Sequence, residues 1–418
     1  MTPLLSCLLA VAASGTAIGL WLDRRQFRTV RAARDQVPLE FADRLSPAEH
    51  RDAADQAMAR LRFGAVRSVW DTAVLFAALS WGFGAVAALA ERLLAPGPGR
   101  GLLLLGILFA AATALALPFR VWSVFVLEQR AGFNRQTPAG FARDTLLGLG
   151  LAAVLGAPIL LGLLWLLRVP PLFGVVPPWV VAWVALSVLA LGAPVIHLRL
   201  VAPLFNRFRP LRPAVAEPVA RLLHRAGFRP AALFEMDASR RTARGNAFFS
   251  GFGRHKRIVL FDTLLDSHPT EEIEAVVAHE LGHSHHRHVL SGLLRGVLIL
   301  LVVCAAVGTL APWPRLLPLF GLGAHPEPAL SLLLAVLLVQ GALSPLSVLF
   351  NALSRRHEFQ ADAFAREQVG AAPMIAALAR LSRDNRSVLV RDRLFSVVHD
   401  THPPVLTRIR RLRAEAAA

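Results

Sequence analysis

Seven long apolar runs limit what this 418-residue chain can fold into more than any other feature. A helix needs about 20 consecutive apolar residues to cross a bilayer, and most of these runs exceed the length of a buried helix in a soluble protein. They cover approximately residues 3–22, 69–89, 101–117 with a continuation towards 127, 145–167, 179–198, 289–311 and 329–350. Apolar residues make up 55% of the chain, which agrees with seven transmembrane helices. The first run has an alternative interpretation as a signal peptide, but its basic residues follow it instead of preceding it.

The arginines predict how the chain is oriented in the membrane. Ten of them follow the first run, whereas the second connection holds two, the fourth only Arg168 and the sixth only Arg315. The segment 199–288 and the C-terminal tail are basic again. Because cytoplasmic connections keep the excess of arginine and lysine, we predict an extracytoplasmic N-terminus and place segments 199–288 and 353–418 on the cytoplasmic side.

The composition adds three expectations. A net charge of +17 that follows the connections is attracted to anionic lipid, and without one basic patch interleaved with aromatic residues it argues against nucleic acid as a partner. Lys256 is the only lysine, and the abundant arginine and alanine suggest a GC-rich genome and a bacterial cell membrane. Cys7 and Cys304 both fall in apolar runs, so they predict neither a disulfide framework nor a metal cluster.

A His-Glu-x-x-His motif is the strongest sign of chemistry. His279 and His283 are four residues apart, so on a helix both rings lie on one face and can reach one Zn²⁺ ion. Glu280 is placed to take a proton from a water molecule at that ion. Chance alone would produce this pattern roughly 0.016 times in a chain of this composition. Thr270 is the predicted N-cap of the helix. The alternative interpretation is a polar helix end within a cluster of histidines.

A third protein ligand is needed, because a catalytic zinc site has three such ligands and one open position. Glu358 and Asp362 lie four residues apart in a stretch with helical spacing. Glu358 could complete the metal site, and Asp362 could hold the second ring nitrogen of a ligand histidine. A pair of acidic residues on a solvated helix face is the competing interpretation.

Several blocks give the chain a wider resemblance. They are Glu128–Thr137, Pro203–Phe208, Asn246–Phe252 running into Arg257–Leu265, His279–His283 with His288 five residues on, Arg356–Phe364, and His402-Pro403-Pro404 followed by Arg408. In these blocks the chain resembles the type I CAAX prenyl proteases, a family of integral-membrane zinc metalloendopeptidases. Two positions depart from the family pattern, Ser284 where a bulky aromatic residue is expected and Phe249 where tyrosine is expected.

The resemblance implies seven helices around an internal water-filled chamber, capped by a cytoplasmic zinc-protease domain. It suggests that Asn246 binds the peptide main chain at an exposed strand edge, although by itself Asn246 is an ordinary turn residue. It also suggests that His402 stabilises the oxyanion of the attacked carbonyl, with Arg408 supporting the site. On the sequence alone, Pro403 favours a helix start at His402, and His399 is a less favoured donor.

The predicted fold is therefore an all-α membrane protein with a small β element in its catalytic part. Residues 1–200 hold transmembrane helices 1–5, residues 201–288 the catalytic segment, residues 289–352 helices 6 and 7, and residues 353–418 the third ligand and the His-Pro-Pro block. Within the catalytic segment, an amphipathic helix is predicted over 216–226 and strands over 233–237 and 257–260.

The predicted function is peptide hydrolysis with one Zn²⁺ ion per chain, held by His279, His283 and Glu358, with Glu280 as general base and then acid. Peptides or proteins are the predicted substrates, and the resemblance implies prenylated C-terminal CAAX sequences. A bacterial source makes quality-control proteolysis of damaged membrane proteins an open alternative. A catalytically inactive membrane scaffold is disfavoured, because every ligand and the base are present.

Overall fold

The computed structural model describes residues 2–228, 232–250 and 257–417. In chain order the helices are α1 (Pro3–Ala32), α2 (Pro47–Ala77), α3 (Phe83–Leu93), α4 (Pro98–Trp122), α5 (Pro138–Leu166), α6 (Pro178–Ile196), α7 (Ala202–Phe205), α8 (Pro213–Arg225), α9 (Asp262–Ser267), α10 (Thr270–His285), α11 (His288–Leu310), α12 (Leu316–Leu319), α13 (Pro328–Leu343), α14 (Leu346–Val369), α15 (Ala371–Asp384), α16 (Arg393–His399) and α17 (Val405–Ala417). The strands are β1 (Phe208–Pro210), β2 (Ala232–Met236), β3 (Ala247–Ser250) and β4 (Arg257–Phe261). Short 3-10 turns occupy Leu39–Phe41 and Ala238–Arg240, and π-helical turns occupy Ala78–Gly82, Ser123–Glu128 and His197–Val201.

Six helices among the described residues are long and apolar enough to cross a membrane. They are α1, α2 continuing into α3, α4, α5, α6 continuing into α7, and α11. Between 0% and 22% of the most apolar window of each helix is buried inside the protein, so most of these apolar side chains face outwards. A helix satisfies its own backbone hydrogen bonds, which is what makes such a surface stable in lipid. The prediction of a multi-pass membrane protein is confirmed.

The seventh apolar run is interrupted. Helices α13 and α14 are bent by 56° at their junction, and together they form one broken span candidate. The break falls at Ser344 and Pro345, both of which keep right-handed helical dihedral angles; proline lacks a backbone N–H, so one hydrogen bond of the helix is lost there. The apolar run is continuous in sequence, but the helix is not. The bend starts a new helix, and the carboxylates at 358 and 362 lie on it.

The small sheet has the strand order β1-β2-β4-β3. Strand β4 lies inside it, parallel to β2 and antiparallel to β3, with Phe248 opposite Val259. Both faces of β4 are covered: Ile258 and Leu260 belong to the core beneath α10, while Val259 packs in a second cluster on the other face. Strand β3 is consequently at an edge of the sheet.

Several elements differ from the sequence predictions; strand β2 lies one residue earlier than the predicted 233–237, and β4 ends one residue later than the predicted 257–260. Helix α10 begins at Thr270 itself with Pro269 in the cap position, and α8 begins three residues earlier than 216 because Pro213 is well suited to a first helical turn. Strand β1 was not predicted, because it has only three residues and ends in Pro210. None of these differences moves the motif out of its helix.

Candidate metal centre

The two motif histidines face each other on the later turns of α10. Their ring centroids are 4.9 Å apart and the two Nε2 atoms are 3.3 Å apart. His279 is buried, and the ring of His283 is about one-fifth exposed at 21%. Two imidazole nitrogens this close cannot both carry a proton towards each other. With both Nε2 atoms unprotonated, the pair could present two lone pairs to a shared point, as the four-residue spacing predicts.

A close helix contact brings the third group to this point. A Cβ atom added to Gly282 would lie 2.8 Å from the Cα atom of Ala361, closer than real Cβ atoms approach. Ala361 itself is completely buried. Helices α10 and α14 can touch at this depth only because a glycine faces an alanine. The contact lies between the two histidines of α10 and the two carboxylates of α14.

Glu358 meets both histidines. Its Oε2 atom is 3.5 Å from His279 Nε2, and its Oε1 atom is 3.3 Å from His283 Nε2. One ligand atom from each of the three residues can be chosen so that all lie within 4.8 Å of one another. The Glu358 Oε2 atom is buried and has no hydrogen-bond partner among the described residues, although buried carboxylate oxygens normally have one; Arg408 Nη1 lies 3.4 Å from it. Two imidazoles and one carboxylate, with one of its oxygens unpartnered, form a donor set that fits a divalent metal ion.

Asp362 lies behind His279, on the side away from Glu358. His279 Nδ1 is 3.0 Å from Asp362 Oδ1, so a proton on Nδ1 is donated to that carboxylate. Arg408, from α17, donates to both oxygens of Asp362 at 2.8 and 2.5 Å. All three side chains are buried. This arrangement directs the Nε2 lone pair of His279 towards Glu358 and His283.

The electrostatics of the site favour positive charge at its centre. Burial opposes a charge on His279, but hydrogen bonds with Asp362 and Glu358 outweigh it and raise the pKa of His279 to about 9. Burial raises the pKa of the Glu280 carboxyl above its ordinary value, although His279 and His283 act to lower it. The same carboxylates would stabilise a metal cation bound among these groups.

His402 reaches the site from the segment between α16 and α17. Its Nε2 atom is 3.4 Å from Glu358 Oε1, while its side chain is 65% exposed. Helix α17 begins at Val405, so the interpretation of His402 as a helix start is wrong. The segment is held from α14, where Arg355 Nη1 donates to the Asp400 carbonyl at 2.6 Å. His402 is thus placed at the open side of the site.

Asn246 directly precedes the edge strand β3. Its carbonyl accepts from Phe261 N at 3.0 Å, and its Oδ1 accepts from Ala247 N at 2.9 Å. The side chain is exposed, and Nδ2 makes no hydrogen bond to a described residue. Within the described part of the chain, this donor has no partner and lies at the start of the edge strand. Gly251 and Phe252 of the same sequence block lie outside the described residues.

Comparison with known proteins agrees with this architecture. Residues 26–207 match the family model for the CAAX prenyl protease N-terminal region with five membrane helices, and residues 211–416 match peptidase family M48. CAAX prenyl protease 1 homolog of Arabidopsis thaliana is 34% identical over 306 residues, covering 72% of this chain and 70% of that protein. CAAX prenyl protease 1 of Saccharomyces cerevisiae is 31% identical over 326 residues, covering 74% and 71%.

A solved structure shares the whole fold. The crystal structure of S. mikatae Ste24p superposes with a TM-score of 0.89 at 26% identity, and the match covers 99% of each chain. The fold, its membrane helices and its helix-borne metal-ligand cluster define a membrane-embedded metallopeptidase. The chain belongs to peptidase family M48, and its relatives within that family are CAAX prenyl proteases. The predictions of the family, of the fold class and of peptide hydrolysis are confirmed.

Proposed function

We propose that this protein is a zinc-dependent endopeptidase whose metal is held by His279, His283 and Glu358. The convergence of three ligand atoms within 4.8 Å carries this assignment. The set of two histidines and one glutamate is that of zinc peptidases, in which the fourth position stays open. When bound there, zinc would lower the pKa of the attacking water and polarise the substrate carbonyl.

Glu280 is the general base in this scheme. Its carboxylate accepts a proton from the attacking water and later delivers that proton to the departing amine. The raised pKa of Glu280 suits this double role, since a base works best with a pKa near the operating pH. Asp362 and Arg408 keep His279 in the tautomer that ligates the metal.

His402 is the proposed oxyanion donor. An N–H at Nε2, at the open side of the site and 3.4 Å from Glu358 Oε1, is positioned to donate to the oxygen of the attacked carbonyl. Its exposure supports this role, because a substrate has to reach the donor from outside. His399 is less suitable, because its ring packs on Phe395 at 4.7 Å.

The proposed substrate is an extended peptide that pairs with strand β3. Main-chain pairing at an edge strand supplies affinity without depending on sequence, and Asn246 Nδ2 can donate to a substrate carbonyl near the strand start. The names of the relatives suggest a prenylated C-terminal CAAX sequence as the segment that is cut. Cleavage of damaged membrane proteins uses the same site without the prenyl group.

One experiment separates these substrates. Purified protein is given a farnesylated CAAX peptide and its unprenylated twin, with Glu280→Gln protein as the inactive control. Faster cleavage of the farnesylated peptide is the expected result. Equal cleavage of both favours general proteolysis, and cleavage of neither contradicts the endopeptidase assignment.

The metal is tested directly. We expect about one zinc ion per purified chain, since one three-ligand site is proposed. Both His283→Ala and Glu358→Ala should lower the bound zinc, whereas Glu367→Ala, a control glutamate on the same helix, should not. Full zinc in Glu358→Ala would refute the third ligand.

We also propose that the catalytic side faces the cytoplasm, most simply in a bacterial cell membrane, on the basis of the arginine distribution. In a protein lacking Cys7 and Cys304, new cysteines at Gly97 and Pro314 should react with an impermeant maleimide added to intact cells. A cysteine at Ala416 should react only after permeabilisation. Labelling of Ala416→Cys from outside would reverse the orientation.

A further inference from the structure

His288 lies outside the His-Glu-x-x-His motif but returns to it in space. It is the first residue of α11, and α10 ends at His285. Between them Arg287 adopts a left-handed conformation, with φ 54° and ψ 32°, which is uncommon for a residue other than glycine. This turn reverses the chain, so that the buried His288 lies against His283.

Two hydrogen bonds define the protons on these rings. His283 Nδ1 is 3.0 Å from His288 Nδ1, and His288 Nε2 is 2.8 Å from Gln360 Oε1. The amide oxygen only accepts, so His288 carries its proton on Nε2. His288 Nδ1 then has a lone pair. It accepts the hydrogen bond that His283 donates from Nδ1. That leaves the Nε2 lone pair of His283 pointing to Glu358.

The ring of His288 is also held from its face. His357 stacks on it with centroids 3.9 Å apart and planes within 10°. His357 and Gln360 both come from α14, the helix that supplies Glu358. Helix α14 therefore supplies Glu358 to the proposed metal site. The same helix also holds His288, which lies behind His283.

We propose that His288, oriented by Gln360, is a positioning residue that fixes the tautomer and ring plane of His283 for metal binding. This inference rests on the proposed function, since it assumes that His283 is a ligand. Partners behind a ligand histidine usually strengthen metal binding by a factor of about 10 to 100. For His279 the corresponding partner is the charged Asp362, whereas for His283 it is a neutral ring.

The test measures zinc affinity by competition with a chelator. His288→Phe keeps a flat ring against His357 but removes both nitrogens, and Gln360→Leu removes the acceptor. We expect each to weaken zinc binding by about 10- to 100-fold. His288→Asn, whose oxygen can replace the Nδ1 acceptor, and Gln360→Glu, which keeps an acceptor, should recover part of the affinity. His285→Phe is the matched control, a nearby histidine whose ring packs on Phe364 at 4.8 Å.

The outcomes distinguish the inference from the function beneath it. Wild-type zinc affinity in both His288→Phe and Gln360→Leu would overturn the positioning role while leaving the metal site in place. Equal loss of affinity in all four variants, together with a lower melting temperature, would show a packing role and would also overturn it. Unchanged zinc in His283→Ala would refute the proposed function itself. A weaker affinity that the two conservative variants restore supports the positioning role, and the absorption spectrum of the Co²⁺-loaded protein should shift in the same variants.

Discussion

Helices α5 and α10 differ in the fraction of their residues that the rest of the protein buries. Of the 29 residues of α5, Leu164 is the one buried inside the protein. Half of the 16 residues of α10 are buried, including its first motif histidine. Most side chains of α5 are not covered by protein, whereas the buried positions of α10 have particular protein neighbours. Substitutions in the two regions should therefore have effects of different size and kind.

The largest effect should come from the base on α10. Glu280→Gln keeps the size of the side chain but cannot accept a proton, so peptide cleavage should fall by about 10² to 10⁴. Zinc content and peptide affinity should stay near normal, because Glu280 is not a proposed ligand. Glu274→Gln on the same helix is the control. Near-normal cleavage by Glu280→Gln would show that the motif has only a structural role.

His402→Ala should have the next largest effect. Loss of one oxyanion donor typically lowers the turnover rate by about 10² to 10³, and here the metal still polarises the carbonyl. Zinc affinity should not change. His399→Ala, three residues earlier, should cleave nearly as fast as the native protein. The opposite ranking of these two variants would transfer the donor role to His399.

Gly282→Ala tests the contact that assembles the site. The new methyl group would lie against the backbone of Ala361, so α10 and α14 must separate, at a cost of about 1–3 kcal/mol. Zinc affinity and thermal stability should fall together. Gly150→Ala on α5 adds the same methyl group where no atom lies within 4 Å, so it should leave zinc affinity unchanged and keep or slightly raise thermal stability, because alanine favours a helix more than glycine does. If Gly282→Ala and Gly150→Ala had the same effect on zinc affinity and thermal stability, the distance between α10 and α14 would not control metal binding.

The smallest effect should be found on the exposed face of α5, with its one buried residue as the comparison. Leu164 is 2% exposed and Val154 is 70% exposed. Because lipid is as apolar as the side chains, little transfer energy is at stake, and Leu164→Ala should cost about 2 kcal/mol through the cavity it leaves. Val154→Ala should change stability by less than about 0.5 kcal/mol. Thermal unfolding in detergent measures both, and a larger loss for Val154→Ala would show that this face packs against protein.

The sequence determined most of the fold because membrane spans carry a strong local signal. A run of apolar residues predicts a helix wherever it lies, since the bilayer requires that the backbone bond to itself. Apolar length alone did not predict the bend at Ser344 and Pro345, and proline was not a sufficient signal, because Pro118, Pro158 and Pro194 lie inside helices. Apolar length also missed strand β1, whose three residues become a strand only by pairing with β2.

The sequence by itself also predicted two proposed ligands and the proposed base, because His279, Glu280 and His283 are spaced by the pitch of one helix. Glu358 was also predicted from its own sequence block, but only the tertiary structure shows how Glu358 and His288 come within contact distance of these histidines. Glu358 reaches the histidines through a glycine-to-alanine helix contact, and His288 reaches His283 through a left-handed turn at Arg287. Both depend on how closely two helices approach and how a chain reverses. Those distances depend on packing between parts of the chain that are far apart in sequence. The spacing of residues within one segment therefore does not predict them.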